Sequence, residues 1–345
     1  MIKLLLLTLL WTILSVGCAQ TKTPVLGSHA NANSPEYVGS PLVLGNESAA
    51  SLSRKYPTSK PDEDLRDHLA EILADSGKTL RWSASAKLEY YFNGDLKIPV
   101  VVRIPPKCES KPCPVLVQAY GSGNCFNTDY HWRPEFFMHA GYIVVQPNIR
   151  GSSCPGAKWR MAAQGQKKFE ALTDIDACGK WAKQRFAKNG QPPKVGIIGW
   201  SYGGFVSLVA MTRFSGTYDA GFALSAKTDL YSFFKNASEA LRKARSNEYG
   251  EITNNPELFR RLSPITYVDQ VNAPVAMILG GKDPKVSLSD ADEFVRRLQH
   301  RNQDVSLMIV PEQGHLTEKP DEITFEHAHI IQFFSKKFKY PTTIQ

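Results

Sequence analysis

The sequence predicts an α/β fold, a mostly parallel central sheet with helices on both faces. Three observations carry that expectation. Short apolar runs alternate with stretches of helical periodicity from about residue 87 to residue 338. One run, Val195–Ile198, ends in Gly199-Trp200-Ser201-Tyr202-Gly203 and gives way at once to a second apolar stretch, Phe205–Ala210. That is a strand, a sharp turn and a helix. Polar residues able to move protons, Asp283 and His315, then follow later apolar runs, at the strand ends where such sheets bind ligands.

At 345 residues the chain can bury a full core in one large domain. The formal charge is +8, but the basic residues are spread. The densest patches, Lys167-Lys168 and Lys336-Lys337-Lys339, are too short for a nucleic-acid surface and read as solvated helix faces. No phosphate loop or dinucleotide fingerprint follows the early strands, so no cofactor is expected.

Lys3, the apolar run Leu4–Leu14 and the small residues up to Ala19 form a signal peptide over residues 1–20, too short in its apolar part for a membrane span. The expected location is secreted or periplasmic. Ser15-Val16-Gly17-Cys18 also resembles a bacterial lipobox, in which a lipidated Cys18 would attach the chain to a membrane. Soluble export and a retained anchor helix are the alternatives. Export permits disulfides. Cys108 and Cys113 can close a small loop, Cys125 and Cys154 follow neighbouring strands, and Cys178 is left over on an apolar helix. No histidines accompany these cysteines at ligand spacing, so no metal is expected. Asn46 and Asn236 open glycosylation sequons, meaningful in a eukaryotic source.

Residues 21–85 read as an N-terminal arm, irregular to about residue 60, with a short amphipathic helix over roughly 62–75 placed by Leu65, Leu69, Ile72 and Leu73. The main domain is expected over 86–340. Lys87–Phe92 and Leu96–Ile104 read as strands joined at Asn93-Gly94, a hairpin signal, with Pro105-Pro106 as the stop. Pro114–Ala119 and Tyr142–Gln146 are the next strands. A long helix follows over roughly Phe169–Ala187, with Leu172, Ile175, Trp181 and Phe186 facing inward. Val195–Ile198, Ala220–Leu224, Pro274–Leu279 and Val305–Val310 complete the sheet. A polar helical excursion occupies Leu230 to about Arg261, a helix spans Ser289–His300, and a last one runs from about Ile323 to Phe338.

A serine hydroxyl needs a base to become a nucleophile, and the base needs an orienter. In a sheet of this kind the order is serine, acid, histidine. Ser201, Asp283 and His315 appear in that order, each just past a strand. Asp290 and Asp292 compete with Asp283 but lie within a helix. His131 and His139 precede Ser201, His300 ends a helix, and His327 and His329 sit inside the last one. The oxyanion of a tetrahedral intermediate needs donors. One is the Tyr202 N–H. For the second, a backbone N–H of Gly121 or Ser122 competes with the Tyr120 hydroxyl.

From about Tyr90 to Phe338 the chain resembles the catalytic α/β-hydrolase domain of the prolyl oligopeptidase family of serine peptidases. The marks are Gly199-Trp200-Ser201-Tyr202-Gly203-Gly204, Arg150-Gly151-Ser152, Ser263-Pro264-Ile265, Ala273-Pro274-Val275, Gly281-Lys282-Asp283-Pro284-Lys285-Val286 and Gly314-His315. The resemblance implies that Tyr120 gives its hydroxyl to the oxyanion, that Arg150 is structural, and that Asp174 matches an acidic position early in the long helix. The chain departs from the pattern at Ser287, Gly280 and Ser122-Gly123-Asn124. Most members also carry an N-terminal propeller that filters substrates. About 65 residues separate the signal from the Lys87 strand, too few for two blades of ~40–45 residues each. The expected activity is hydrolysis of short peptides through an acyl-enzyme. A carboxylesterase using the same residues is the alternative, and a non-catalytic binding module a third.

Overall fold

The computed structural model describes residues 48–76, 85–120, 124–129, 131–317 and 319–341. The signal segment, Cys18, Asn46, Gly121 and Ser122 lie outside the described residues. Eight strands build one sheet: β1 (Ala86–Asn93), β2 (Leu96–Arg103), β3 (Val115–Ala119), β4 (Ile143–Pro147), β5 (Val195–Trp200), β6 (Ala220–Leu224), β7 (Val275–Gly280) and β8 (Val305–Val310). Their order across it is β1-β2-β4-β3-β5-β6-β7-β8. β1–β2 and β2–β4 pair antiparallel, and every other pair is parallel. Asn93 pairs with Leu96, so the hairpin closes through Gly94-Asp95, with Gly94 at φ 58.

The helices are α1 (Ala49–Lys55), α2 (Glu63–Ser76), α3 (Pro106–Ser110), α4 (Trp132–His139), α5 (Ala157–Met161), α6 (Lys167–Ala171), α7 (Thr173–Arg185), α8 (Tyr202–Thr212), α9 (Leu230–Asn236), α10 (Glu239–Tyr249), α11 (Pro256–Leu262), α12 (Leu288–His300) and α13 (Pro320–Phe338). Side-chain alternation along the strands sorts them onto two faces. Val115, Val117, Ile143, Val145, Met277 and Leu279 point into a core shared with α7, α8 and α12. Leu116, Val144, Ile198 and Ile278 point into a second core with α2, α4 and α13. The α/β-hydrolase architecture with both faces covered is therefore the observed one.

Two elements differ from the sequence reading. Residues 48–56, expected to be irregular, hold α1. Ser48 caps it by accepting the Ser51 N–H (3.2 Å), and Leu52 and Tyr56 are buried. The Tyr56 hydroxyl donates to Asp292 (2.6 Å), and the Tyr56 carbonyl accepts from Ile309 N–H (3.2 Å), which covers the outer edge of β8. The long helix expected over 169–187 is two, α6 and α7, with Leu172 between them. The excursion over 230–261 holds α9, α10 and α11. Cys108–Cys113 and Cys125–Cys154 are disulfides and Cys178 is a buried thiol, as the spacing suggested. No helix of the described residues is long and apolar enough to cross a membrane.

Candidate active site

The chain runs from β3 outward to β4 and then back across to β5, so the sheet's order reverses between β3 and β5. Ligands bind outside the carboxyl ends of strands at such a point. Tyr120 follows β3 there, and Ser201 follows β5.

Ser201 sits at φ 57, ψ −115, a backbone conformation that residues with a Cβ avoid. It is held from both sides. Its N–H donates to the Leu224 carbonyl of β6 (2.8 Å), and its own carbonyl accepts from Phe205 N–H (2.9 Å) in α8. The turn is tight enough to demand glycine at two neighbours. A Cβ on Gly199 would lie 2.3 Å from the Gly203 carbonyl carbon, and one on Gly203 would lie 2.4 Å from the Ala119 oxygen. Tyr202 opens α8, so its N–H has no acceptor inside the helix and is free to serve an anion.

The loop after β8 brings His315 to this turn. Gly281 N–H donates to Val310 (2.8 Å) and Lys282 N–H to Gln313 (2.9 Å), which binds that loop to the end of β7. A Cβ on Gly280 would meet the Gly314 oxygen at 2.2 Å, so a side chain at 280 would push the loop away. The imidazole then bridges two partners. Nε2 is 2.8 Å from Ser201 Oγ, and Nδ1 is 2.8 Å from Asp283 Oδ2. Asp283 is buried, and its other oxygen accepts Lys285 N–H at 2.7 Å. A carboxylate can only accept, so Nδ1 carries the proton and Nε2 is left to accept from the serine hydroxyl. Hydroxyl, imidazole and carboxylate stand in line, an arrangement that can transfer acyl groups.

The competing acids have other partners. Asp290 accepts from Ser232 Oγ (3.1 Å), and burial, with Asp229 adding to it, pushes its pKa up to about 6. Asp292 binds Lys55, Tyr56 and Arg296. His327 is fully buried and stacks on Trp200 (5.2 Å between centroids). Burial, with Arg133 nearby, pushes its pKa down to about 3, so it stays neutral. Asp174 receives Arg150 through its backbone N–H (2.9 Å), Nε (2.9 Å) and Nη2 (2.7 Å), and Asn93 Nδ2 at 2.8 Å. That fork ties the loop after β4 to α7, a structural place for Arg150. Tyr120 is buried with its ring 5.8 Å from that of Tyr202. Its hydroxyl donates to the Arg150 carbonyl over 3.4 Å, long for an O–H···O bond.

Two groups around the site were not foreseen. Glu326, a carboxylate in the apolar face of α13, accepts from Trp200 Nε1 (3.3 Å), Gln313 Nε2 (2.7 Å) and Thr317 Oγ1 (2.7 Å). Gln313 and Thr317 flank His315, and Trp200 precedes Ser201, so one carboxylate clamps both loops. Burial raises its pKa, with the three donors and Arg133 opposing. A glutamate between Ile323 and Ile330 at helical spacing was the available signal. The second group lies beside Tyr202. Lys168, read from the sequence as part of a solvated helix face, is instead buried: it pairs with Glu248 (3.0 Å), and its Nζ lies over the rings of Tyr202 (5.0 Å) and Tyr249 (4.4 Å). Burial alone would lower the Lys168 pKa, but Tyr202 and Glu248 outweigh it and the pKa rises. A cavity of about 220 Å³ lined by Lys87, Ile104, Cys108, Glu109, Arg185 and Phe186 lies at the opposite end of the parallel strands and touches none of these residues.

Comparison with known proteins converges on one family. The profile of the prolyl oligopeptidase family matches residues 128–340. A dipeptidyl peptidase family member 6 of Caenorhabditis elegans is 28% identical over 212 residues, covering 58% of this chain and 28% of that protein. An acylaminoacyl peptidase of Pyrococcus horikoshii superposes with a TM-score of 0.66 at 20% identity, over 77% of this chain and 43% of that one. An acylaminoacyl peptidase bound to Z-Gly-Gly-Phe-chloromethyl ketone gives 0.65 at 21% identity, over 74% and 42%. The chain thus spans less than half the length of the relatives it matches.

Proposed function

The chain belongs to the prolyl oligopeptidase family, and from that premise we propose that it is a serine peptidase hydrolysing short peptides through an acyl-enzyme on Ser201. The observation that carries the reading is the unbroken line from Ser201 Oγ through His315 to Asp283, with both contacts at 2.8 Å. The Ser201 oxygen attacks the peptide carbonyl carbon while His315 Nε2 takes its proton. Asp283 keeps the ring oriented and stabilises the imidazolium. The carbonyl oxygen, now an anion, is met by the Tyr202 N–H, with the Tyr120 hydroxyl as second donor once it leaves the Arg150 carbonyl. Collapse breaks the C–N bond, and His315 returns the proton to the departing amine. Water, deprotonated by His315, then attacks the ester carbonyl, and as the C–Oγ bond breaks the Ser201 oxygen takes that proton back from His315.

Peptides rather than simple esters are favoured because the matched relatives are named as dipeptidyl and acylaminoacyl peptidases, one of them holding a peptide chloromethyl ketone. A parallel assay on aminoacyl-peptide amides and p-nitrophenyl esters decides between the two. Amide cleavage is expected, and brisk ester turnover with no amide cleavage would overturn the peptidase reading. We also place the protein outside the cytoplasm, secreted or periplasmic. Support comes from the segment Lys3–Ala19 and from two disulfides, which an oxidising compartment maintains. Attachment through a lipidated Cys18 is the finer form of that proposal. Mass spectrometry of the mature N-terminus tests it: diacylglycerol on Cys18 supports anchoring, and an unmodified cleaved terminus argues for soluble export.

A further inference from the structure

Leu224, the last residue of β6, holds the Ser201 N–H through its carbonyl, and the chain beyond it stays at the nucleophile. Ser225, at φ 49, donates its N–H to Ile278 of β7 (3.0 Å). Ala226 is buried, and a Cβ on Gly204 of α8 would lie 3.0 Å from its methyl. Lys227 comes next, partly exposed. Its Nζ lies 4.4 Å from the centre of the Phe233 ring, on α9, and no hydrogen bond or ion pair holds it among the described residues.

The charges that act on Lys227 come from two sides. Asp283 and Lys285 belong to the loop after β7, and Arg245 and Glu248 to α10. Lys227 thus stands between the orienting carboxylate and the helical excursion, above the end of β6. Both carboxylates are already committed. Asp283 is bound by His315 and Lys285 N–H, and Glu248 by Lys168 (3.0 Å) and Arg245 (3.3 Å). Burial lowers the Lys227 pKa to about 8, Asp283 partly opposing, Arg245 and Lys285 adding to the fall. The ammonium is therefore still charged at neutral pH and short of an anion, on the segment whose Leu224 carbonyl holds the Ser201 N–H.

We propose that Lys227 recognises a carboxylate side chain on the acyl residue of the substrate, the one whose carbonyl carbon Ser201 attacks, so that peptides with Asp or Glu at that position are preferred. The inference rests on the acyl-transfer reading of Ser201. The acyl residue is chosen over the leaving residue because its side chain branches one bond from the carbon joined to Oγ. It stays tethered there through both steps, within reach of the segment that holds Ser201.

The test uses the full chain and N-acyl peptides with Asp, Glu, Gln or Lys as acyl residue, each as a p-nitroanilide and as a p-nitrophenyl ester. A charge-assisted hydrogen bond in a partly buried setting predicts a kcat/KM about tenfold to a hundredfold higher for Glu than for Gln. Lys227→Met should collapse that ratio, Lys227→Arg should keep most of it, and Lys227→Glu should turn the preference toward Lys. Uptake of one equivalent of a fluorophosphonate shows that each variant still presents a folded site. Equal rates for Glu and Gln in the wild type, or a ratio untouched by Lys227→Met, would overturn the proposal. If the esters turn over and the anilides do not, the peptidase reading fails, while the Glu-to-Gln ratio of the esters still judges Lys227.

Discussion

Replacing Glu326 by alanine strips the acceptor from three buried donors, Trp200 Nε1, Gln313 Nε2 and Thr317 Oγ1. An orphaned buried donor costs about 1–3 kcal/mol, and the 3.3 Å bond from Trp200 belongs at the low end of that range, so the sum is about 3–7 kcal/mol. Water entering the vacated space recovers part of this. Over most of the usual stability range of about 5–15 kcal/mol the variant stays folded but weakened. The larger effect falls on rate. Gln313 and Thr317 bracket His315, and Trp200 adjoins Ser201, so releasing them loosens the 2.8 Å Oγ–Nε2 contact from both ends. A displacement of about 1 Å in such a contact costs roughly 100-fold. We expect kcat for a small p-nitrophenyl ester to fall by that order with KM little changed, alongside a lower urea midpoint. Glu326→Gln should recover most of the rate. Its oxygen still accepts from Trp200 and Thr317, and a flipped Gln313 amide can accept from its nitrogen. A Glu326→Ala enzyme with a lower urea midpoint and an unchanged kcat would refute the positioning role and leave Glu326 a stabilising residue only.

Gly199→Ala should abolish activity, because its methyl would lie 2.3 Å from the Gly203 carbonyl carbon, and neither partner is a side chain that can swing away. A variant that folds and turns over ester at the wild-type rate would show the turn to be looser than drawn. Asp290 titrates at about 6 in the folded chain against an ordinary 3.8, so the native state holds its proton longer and stability falls as pH rises from about 4 to about 6. Asp290→Asn should stabilise the protein above pH 6 by up to about 3 kcal/mol and have little effect near pH 3. Equal urea midpoints for the two proteins at pH 7 would contradict this. Lys227, facing Phe233, Asp283, Lys285, Arg245 and Glu248, loses its proton near pH 8. The Glu-over-Gln preference should therefore decline above that pH and persist in Lys227→Arg, whose guanidinium stays charged. A preference flat to pH 10 in the wild type would count against it.

The sheet was legible because its inner parallel strands are buried on both faces and read as nearly continuous apolar runs, Val195–Ile198 and Pro274–Leu279 among them. The line of Ser201, Asp283 and His315 was legible for a related reason. Each follows such a run, and strand ends are where the topology collects side chains. Alpha1 was not legible, since only Leu52 and Tyr56 of that stretch are buried and two residues make no periodicity. The break at Leu172 leaves no mark in an otherwise helical pattern. The groups around the site were hidden more deeply. Glu326 sits 125 residues beyond Ser201 and acts through Gln313, Thr317 and Trp200, partners that no local spacing links. Lys227 reads as one more charge in the short loop before the polar excursion until β6, β7 and α10 are folded around it.

Every role proposed for the site depends on Ser201 carrying the acyl group during peptide cleavage. The most direct measurement is the rate at which Ser201→Ala, prepared beside the wild type, cleaves an N-acyl peptide amide. A fall on the order of 10⁴-fold or more is expected, as for the loss of a nucleophile from such a triad. Wild-type amide cleavage by Ser201→Ala would contradict it.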